Sequence, residues 1–185
     1  MKNRLKKLIQ SYSACAMSKE LAGIKSFESA VTCRYLNEKG VSKCCSHQRR
    51  IRHSALEDIL KILTKLLEEI KGAKDFDELY KIVFGTKITY IGHLTIYDIA
   101  IHIGYWLSPR ILPQNMVYIH AGAEVGAMAL YKKKLIKSKP SRVMKVEEFE
   151  CLSDLMLLDK TKHGIPEDAT FAMLVEDFYV QNIRT

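Results

Sequence analysis

The sequence predicts an all-α fold, a single compact bundle of about seven to nine helices that spans residues 1–185. Apolar residues recur at spacings of three and four along most of the chain, and no segment shows the polar–apolar alternation of a half-buried strand. All four prolines follow residue 108, which leaves the first half of the chain free to be helical. The length suffices for one hydrophobic core.

Short helices are expected in the N-terminal part of the chain. Residues 2–12 are basic and fit a short helix, and residues 1–17 are expected to be loosely attached to the bundle. Residues 18–37 fit one or two helices that end before Gly40, a residue type common just after a helix C-terminus.

The clearest helical pattern covers residues 47–71. Leucine and isoleucine repeat there at spacings of three and four, charged residues occupy most other positions, and Gly72 provides a stop. We interpret the apolar stripe as part of the core. A coiled-coil partner is the alternative, although the repeat extends for only about two heptads.

Two capping boxes mark further helix starts. In this motif a side-chain acceptor precedes an acidic residue by three positions and binds free N–H groups of the first turn. The two pairs are Asp75 with Glu78 and Thr95 with Asp98. We expect the first helix to end at Gly85 and the second to cover residues 96–107, where Ser108-Pro109 stops it.

The remainder of the chain contains two more predicted helices and a basic loop. Residues 116–119 form a short apolar run with the composition of a strand, and residues 122–131 fit a helix. Residues 132–145 are predicted to form a loop. The last helix is expected to begin at Pro166. Its expected buried face consists of Phe171, Leu174, Val175, Phe178 and Tyr179.

The turn Ile91-Gly92-His93-Leu94-Thr95 is the first candidate site. A glycine between two helices allows positive φ and a close approach of the backbone to another group. The free N–H groups at the start of the second helix lie at the positive end of its dipole, which suits a phosphate. The alternative is an ordinary helix–turn–helix corner that packs against the core.

This turn resembles a helix-hairpin-helix element, whose core has the form hydrophobic–Gly–hydrophobic–Gly–x–x–Thr. Ile91, Gly92 and Thr95 match the pattern, whereas Tyr90 stands where the first glycine is usual. The resemblance covers about fifteen residues. It implies contact with a DNA backbone without reading of the sequence. No cofactor is expected, except for the monovalent cation that the resemblance implies at the hairpin carbonyl groups.

Some helix-hairpin-helix proteins are DNA glycosylases, and this chain departs from them at the catalytic positions. The bifunctional enzymes carry a lysine just before the motif threonine, where this chain has Leu94. They also carry an aspartate beyond the second hairpin helix, but no acidic residue lies between Asp98 and Glu124 here. We therefore expect no enzymatic activity, because the carboxylate that the chemistry requires is missing.

A wider resemblance connects the chain with a group of small bacterial helical proteins. The matching segments are His47-Gln48 with Arg50, Gly92 to Gly104, and Val117 to Gly122. This resemblance extends from about Cys33 onward, agrees with a helical fold and implies no particular activity.

The formal net charge of +8 favours an anionic partner. Most of that charge lies in one stretch without acidic residues, at Lys132, Lys133, Lys134, Lys137, Lys139, Arg142 and Lys145. If these side chains lie beside the hairpin, the two together would follow one phosphate backbone and give salt-sensitive binding. The alternative is a solvated, partly flexible loop that keeps the protein soluble.

Residue types that bind zinc occur close together in sequence, but not at the spacing of a structural zinc site. They are Cys33, Cys44, Cys45, His47 and His53. Neither a C-x-x-C nor an H-x-x-x-H pair occurs among them, so we expect free thiols and no metal. The five cysteines of the chain are irregularly spaced, which predicts a reducing, cytoplasmic compartment. No apolar run is long enough for a transmembrane helix.

His102 and His120 are the remaining candidates for acid–base chemistry, and structural histidines are the alternative interpretation of both. The leading prediction is non-catalytic, sequence-tolerant binding of a DNA or RNA backbone. Its predicted residues are Gly92, His93, Leu94, Thr95, Lys132, Lys133 and Lys134. The alternative is a structural or protein-interaction module with a basic surface and no role with nucleic acids.

Overall fold

The computed structural model describes residues 2–37, 39–45, 48, 51–86, 89 and 91–182. The chain is 59% helix and 7% strand, with two small antiparallel sheets, so the prediction of an all-α fold is wrong. The fold is mixed and mostly helical. Each strand has only three residues, which is too short for a period of two to be visible in the sequence.

The helices and strands are numbered in chain order. The helices are α1 (Lys2–Gln10), α2 (Cys15–Ala22), α3 (Phe27–Val31), α4 (His53–Lys65), α5 (Leu67–Lys71), α6 (Phe76–Phe84), α7 (His93–Trp106), α8 (Ala121–Lys132), α9 (Lys160–His163) and α10 (Phe171–Asn182). The strands are β1 (Arg34–Leu36), β2 (Ser42–Cys44), β3 (Met116–Tyr118) and β4 (Val143–Lys145). A 3₁₀ helix covers Val146–Leu157. In the described part of the chain, no helix combines the length and the apolar character needed to cross a membrane.

The chain forms two compact units. The terminal unit combines Met1–Ser18 with Pro113–Thr185, and the central unit is Lys19–Leu112. The single domain that the sequence suggests stays a prediction.

Helix α7 is the buried centre of the central unit and packs against α3 and α6. Nearly every residue from Thr95 to Gly104 is buried, because this helix is apolar on all sides. Gly104 allows a close approach of the chain, since a Cβ atom there would lie 2.0 Å from the carbonyl oxygen of Ile111. Strands β1 and β2 pair with Tyr35 opposite Lys43.

Several predicted boundaries in the central unit need correction. The long helix predicted over residues 47–71 begins at His53 and is interrupted at Leu66, although its apolar stripe is buried or partly buried. Residues 47, 49 and 50 lie outside the described part. Tyr35, predicted to be helical, lies in β1.

The two predicted capping boxes have different outcomes. Asp75 caps α6 by accepting a hydrogen bond from the backbone N–H of Glu78, as predicted. The second box is wrong, because α7 begins at His93 with Gly92 as its N-cap. Thr95 is therefore inside the first turn, where it is only 8% exposed.

The core of the terminal unit lies between α10, α8 and the 3₁₀ helix. The predicted buried face of the last helix is confirmed in large part, because Leu174, Val175, Phe178 and Tyr179 are buried. That helix begins at Phe171 instead of Pro166, since residues 166–170 form a turn. Residues 1–17, expected to be loosely attached, include Ile9 and Tyr12, which are buried in this core.

Candidate functional site

The basic segment, residues 132–145, belongs to the terminal unit. Its cationic side chains are all exposed: Lys132, Lys133, Lys134, Lys137, Lys139, Arg142 and Lys145. No acidic residue occurs in the segment. Lys132 ends α8, and Lys133 is its C-cap, at the helix end where cations are favoured. The helix dipole therefore accounts for the first two cations but not for those that follow.

The basic segment is not a free loop, contrary to expectation. The backbone N–H of Leu135 donates to the carbonyl oxygen of Leu130 at 2.9 Å, and Ile136 is buried in the core of the terminal unit. At the other end, Met144 is buried within β4 and lies opposite Val117 of β3. Anchors at both ends thus fix the course of the backbone between them.

Glu148 of the 3₁₀ helix holds the middle of the basic segment. Its carboxylate accepts hydrogen bonds from the backbone N–H groups of Lys137 and Ser138 at 3.2 Å and from the Ser138 hydroxyl at 2.9 Å. The Ser138 hydrogen bonds, with a smaller contribution from Lys137, lower the pKa of Glu148 below its ordinary 4.5. This carboxylate is therefore charged and engaged at neutral pH.

The cations at the start of the segment are available to an anion. Among the described residues, none of Lys132, Lys133 and Lys134 forms a salt bridge. An open depression of about 590 Å³ lies beside them. It is lined by Tyr131, Lys132, Lys134, Ile136 and Lys137. A lysine side chain has an apolar stem and a charged tip. A depression lined by lysines together with Tyr131 and Ile136 is therefore suited to a flexible polyanion.

The predicted hairpin residues belong to the central unit. Gly92 is exposed with φ −82°, so its backbone conformation does not require glycine, and a Cβ atom there would meet open space. His93 is exposed and stacks on Phe84 with ring centroids 5.2 Å apart. Leu94 is half-buried.

The phosphate-binding role of the hairpin stays a prediction. Thr95 is nearly buried and so contributes mainly packing within α7, not an exposed hydroxyl. Lys87, Ile88 and Tyr90, in the connection that precedes α7, lie outside the described residues. The resemblance to a helix-hairpin-helix element is therefore a prediction as well.

A second cluster, the thiol cluster, is buried in the central unit and consists of Glu20, Cys33, Cys45 and His102. The Sγ atom of Cys45 lies 3.9 Å from Nε2 of His102. Ligand atoms of Glu20, Cys45 and His102 all lie within 4.8 Å of one another. Cys33 continues the β1–β2 ladder opposite Cys45, whose backbone N–H donates to the carbonyl oxygen of Cys33 at 2.9 Å.

Burial dominates the electrostatics of the thiol cluster. Burial raises the pKa of the Cys33 thiol well above its ordinary 9.0, and the neighbouring Cys45 adds to that effect. Burial likewise raises the pKa of Cys45, with a further contribution from the carboxylate of Glu20. Both thiols are thus protonated at neutral pH unless a cation enters the cluster.

The sequence identified only part of the thiol cluster. The sequence indicates Cys33 and Cys45 as residues of zinc-binding type and His102 as a candidate acid or base, but does not connect them. Glu20 gives no signal, because no local spacing connects α2 with β2 and α7. His53, by contrast, is exposed and lies 3.3 Å from Glu57, and His47 is outside the described residues.

His120, the other candidate for acid–base chemistry, lies in the terminal unit. Its Nε2 atom is 3.5 Å from a carboxylate oxygen of Glu176, and the two side chains are only 9% and 10% exposed. A pair buried to this extent is typical of a structural interaction. The expectation that the chain is not an enzyme stays a prediction.

No protein-family model, curated protein or solved structure matches the chain.

Proposed function

We propose that the protein binds the phosphate backbone of nucleic acid, without sequence preference, through the basic segment. One observation carries this proposal: seven exposed cations occupy a stretch without acidic residues whose backbone is anchored by Ile136, Glu148 and β4. A fixed row of cations matches a polyanion better than a flexible chain does, because less conformational entropy is lost on binding.

The expected mode of binding is electrostatic. Each phosphate that a lysine or arginine neutralises releases condensed counterions, so affinity falls steeply as salt rises. Side chains that contact only phosphates position a protein on nucleic acid without selecting a sequence. The lysines that line the open depression fit contact with phosphates alone, since a lysine ammonium group is a point charge without a preferred partner geometry.

The hairpin from Gly92 to Thr95 remains a second candidate for phosphate contact. Its exposed residues, Gly92 and His93, lie at the N-terminus of α7, the helix end that favours an anion. We expect the hairpin to contribute less to binding than the basic segment, because it adds no cation other than a histidine.

Fluorescence anisotropy with a labelled generic duplex and a single strand tests the proposal. The variant Lys132→Glu/Lys133→Glu/Lys134→Glu should bind at least about tenfold more weakly than wild type at low salt. The loss should be the same for unrelated sequences, because no base is read.

The control reverses three exposed lysines of the central unit, in the variant Lys65→Glu/Lys74→Glu/Lys81→Glu. Both triple variants change the net charge equally, so a difference between them reports position and not total charge. Equal losses would refute a localised site. An absence of binding by wild type at low salt would reject the proposal in favour of a structural or protein-interaction module.

A further inference from the structure

The thiol cluster combines three different donor types from three separate elements. Glu20 lies on α2, Cys45 directly follows β2, and His102 lies in the middle of α7. An oxygen, a sulfur and a nitrogen ligand atom are thereby brought within 4.8 Å of one another. Carboxylate, thiolate and imidazole are the three ligand types that Zn²⁺ accepts in proteins.

The distance between Cys45 Sγ and His102 Nε2 lies close to that between two ligand atoms of a zinc site. With Zn–S of about 2.3 Å and Zn–N of about 2.0 Å, neighbouring ligand atoms of a tetrahedral centre are roughly 3.3–3.7 Å apart. The Cys45 Sγ to His102 Nε2 distance of 3.9 Å exceeds this range by only a few tenths of an ångström. The Glu20 carboxylate oxygen lies within 4.8 Å of both atoms, so it has to move closer for all three groups to bind one ion.

The positions of these donors are fixed by the fold. His102 and Cys45 are 5% and 1% exposed, and the backbone of Cys45 is held by its hydrogen bond to Cys33. Glu20 is half-buried, so one side of the cluster is reached from solvent. A buried sulfur and nitrogen with a half-buried carboxylate provide both a rigid site and an access path for an ion.

Cys33 supplies a second, independent observation. Its backbone has φ +52°, in the left-handed region that non-glycine residues rarely adopt. Such conformations cluster at functional sites, where surrounding structure maintains them. Cys33 directly precedes β1, and in this conformation it lies opposite Cys45.

We propose that Glu20, Cys45 and His102 bind one Zn²⁺ ion. Bound zinc would replace the proton of the Cys45 thiol and balance the two negative charges that Glu20 and Cys45 then carry. The ion would join α2, the β1–β2 hairpin and α7, and so has a structural role in the central unit. This site is independent of the basic segment.

Cobalt substitution tests the site with the full-length protein. After treatment with a chelator, the protein should bind one equivalent of Co²⁺ with thiolate-to-cobalt charge-transfer absorption, and Zn²⁺ should abolish that absorption. Cys45→Ser should remove or strongly diminish the absorption. Glu20→Gln should weaken Co²⁺ binding by about tenfold or more while the absorption persists at saturation, because the carboxylate does not produce it.

Matched controls are Cys151→Ser and His53→Gln, which remove the same residue types outside the cluster and should bind Co²⁺ as wild type does. Far-UV circular dichroism of each variant establishes that it is folded, and the half-buried Glu20 is the safest position to change. The proposal fails if folded wild type shows no thiolate absorption with Co²⁺, or if Cys45→Ser binds as well as wild type. It also fails if mass spectrometry of the purified protein finds Cys33 and Cys45 joined in a disulfide.

Discussion

The two units place their distinctive groups in opposite environments. The terminal unit exposes seven cations on the basic segment, whereas the central unit buries two thiols and an imidazole around α7. Exposed charges keep their hydration and attract a large anion from a distance, but they discriminate little. Buried donors have already lost their water, so they suit a small ion and not a large anion.

The net charge of +8 does not distinguish the two units, but the terminal unit has seven cations and no acidic residue within residues 132–145. In the central unit, the possible ligand atoms of the thiol cluster lie where three elements meet. Affinity for a polyanion and affinity for a metal ion should therefore respond to different substitutions. Substitutions in one unit should therefore change its own stability or binding more than those of the other unit.

The largest effect is expected at Gly104 in the central unit. A Cβ atom in Gly104→Ala would lie 2.0 Å from the Ile111 carbonyl oxygen, a backbone atom that cannot rotate away. We expect a loss of about 3 kcal/mol or more in the free energy of unfolding, measured by chemical denaturation. Amide hydrogen exchange should increase more in the central unit than in the terminal unit. Unchanged stability would contradict the close packing described for α7.

Two buried tyrosines of the terminal unit form a matched pair with a smaller expected effect. The Tyr12 hydroxyl donates to the Asp177 carboxylate, whereas the Tyr179 hydroxyl has no hydrogen-bond partner among the described residues. Tyr12→Phe should cost about 1–3 kcal/mol, because it leaves the partly buried carboxylate of Asp177 with one donor fewer. Tyr179→Phe should be neutral or stabilising in the same denaturation experiment. Equal effects would show that the Tyr12–Asp177 hydrogen bond contributes nothing.

The smallest effect is expected at Gly92. Its φ is ordinary and open space surrounds it, so Gly92→Ala should cost only about 0.5–1 kcal/mol, as expected for alanine at an N-cap. If the basic segment dominates binding, the affinity for a duplex should stay within about twofold of wild type in anisotropy titrations. A loss of tenfold or more would move the main phosphate contact from the terminal unit to the hairpin.

Local patterns predicted the local structure well. The stripe of α4, the Asp75 cap and the apolar face of α10 each follow from residues within one or two helical turns of one another. The start of α7 was misjudged, because the burial of Thr95 against other elements outweighed its preference for a cap.

Non-local structure could not be predicted from the same patterns. Strand β4 exists because Met144 pairs with Val117, a residue distant in sequence, and nothing within 132–145 marks it as a strand. The thiol cluster likewise requires α2, β2 and α7 to meet, so Glu20 carried no signal by itself. The run of cations is visible in the sequence, whereas the anchoring of its backbone by Ile136, Glu148 and β4 is not.

The slope of log affinity against log salt concentration tests most directly whether the basic segment carries nucleic-acid binding. We expect the wild-type slope to be steeply negative, and Lys132→Gln/Lys133→Gln/Lys134→Gln to reduce its magnitude by about 2–3, since each lost phosphate contact removes about 0.9. The matched variant Lys65→Gln/Lys74→Gln/Lys81→Gln should keep the wild-type slope. Equal slopes for all three proteins would contradict the account.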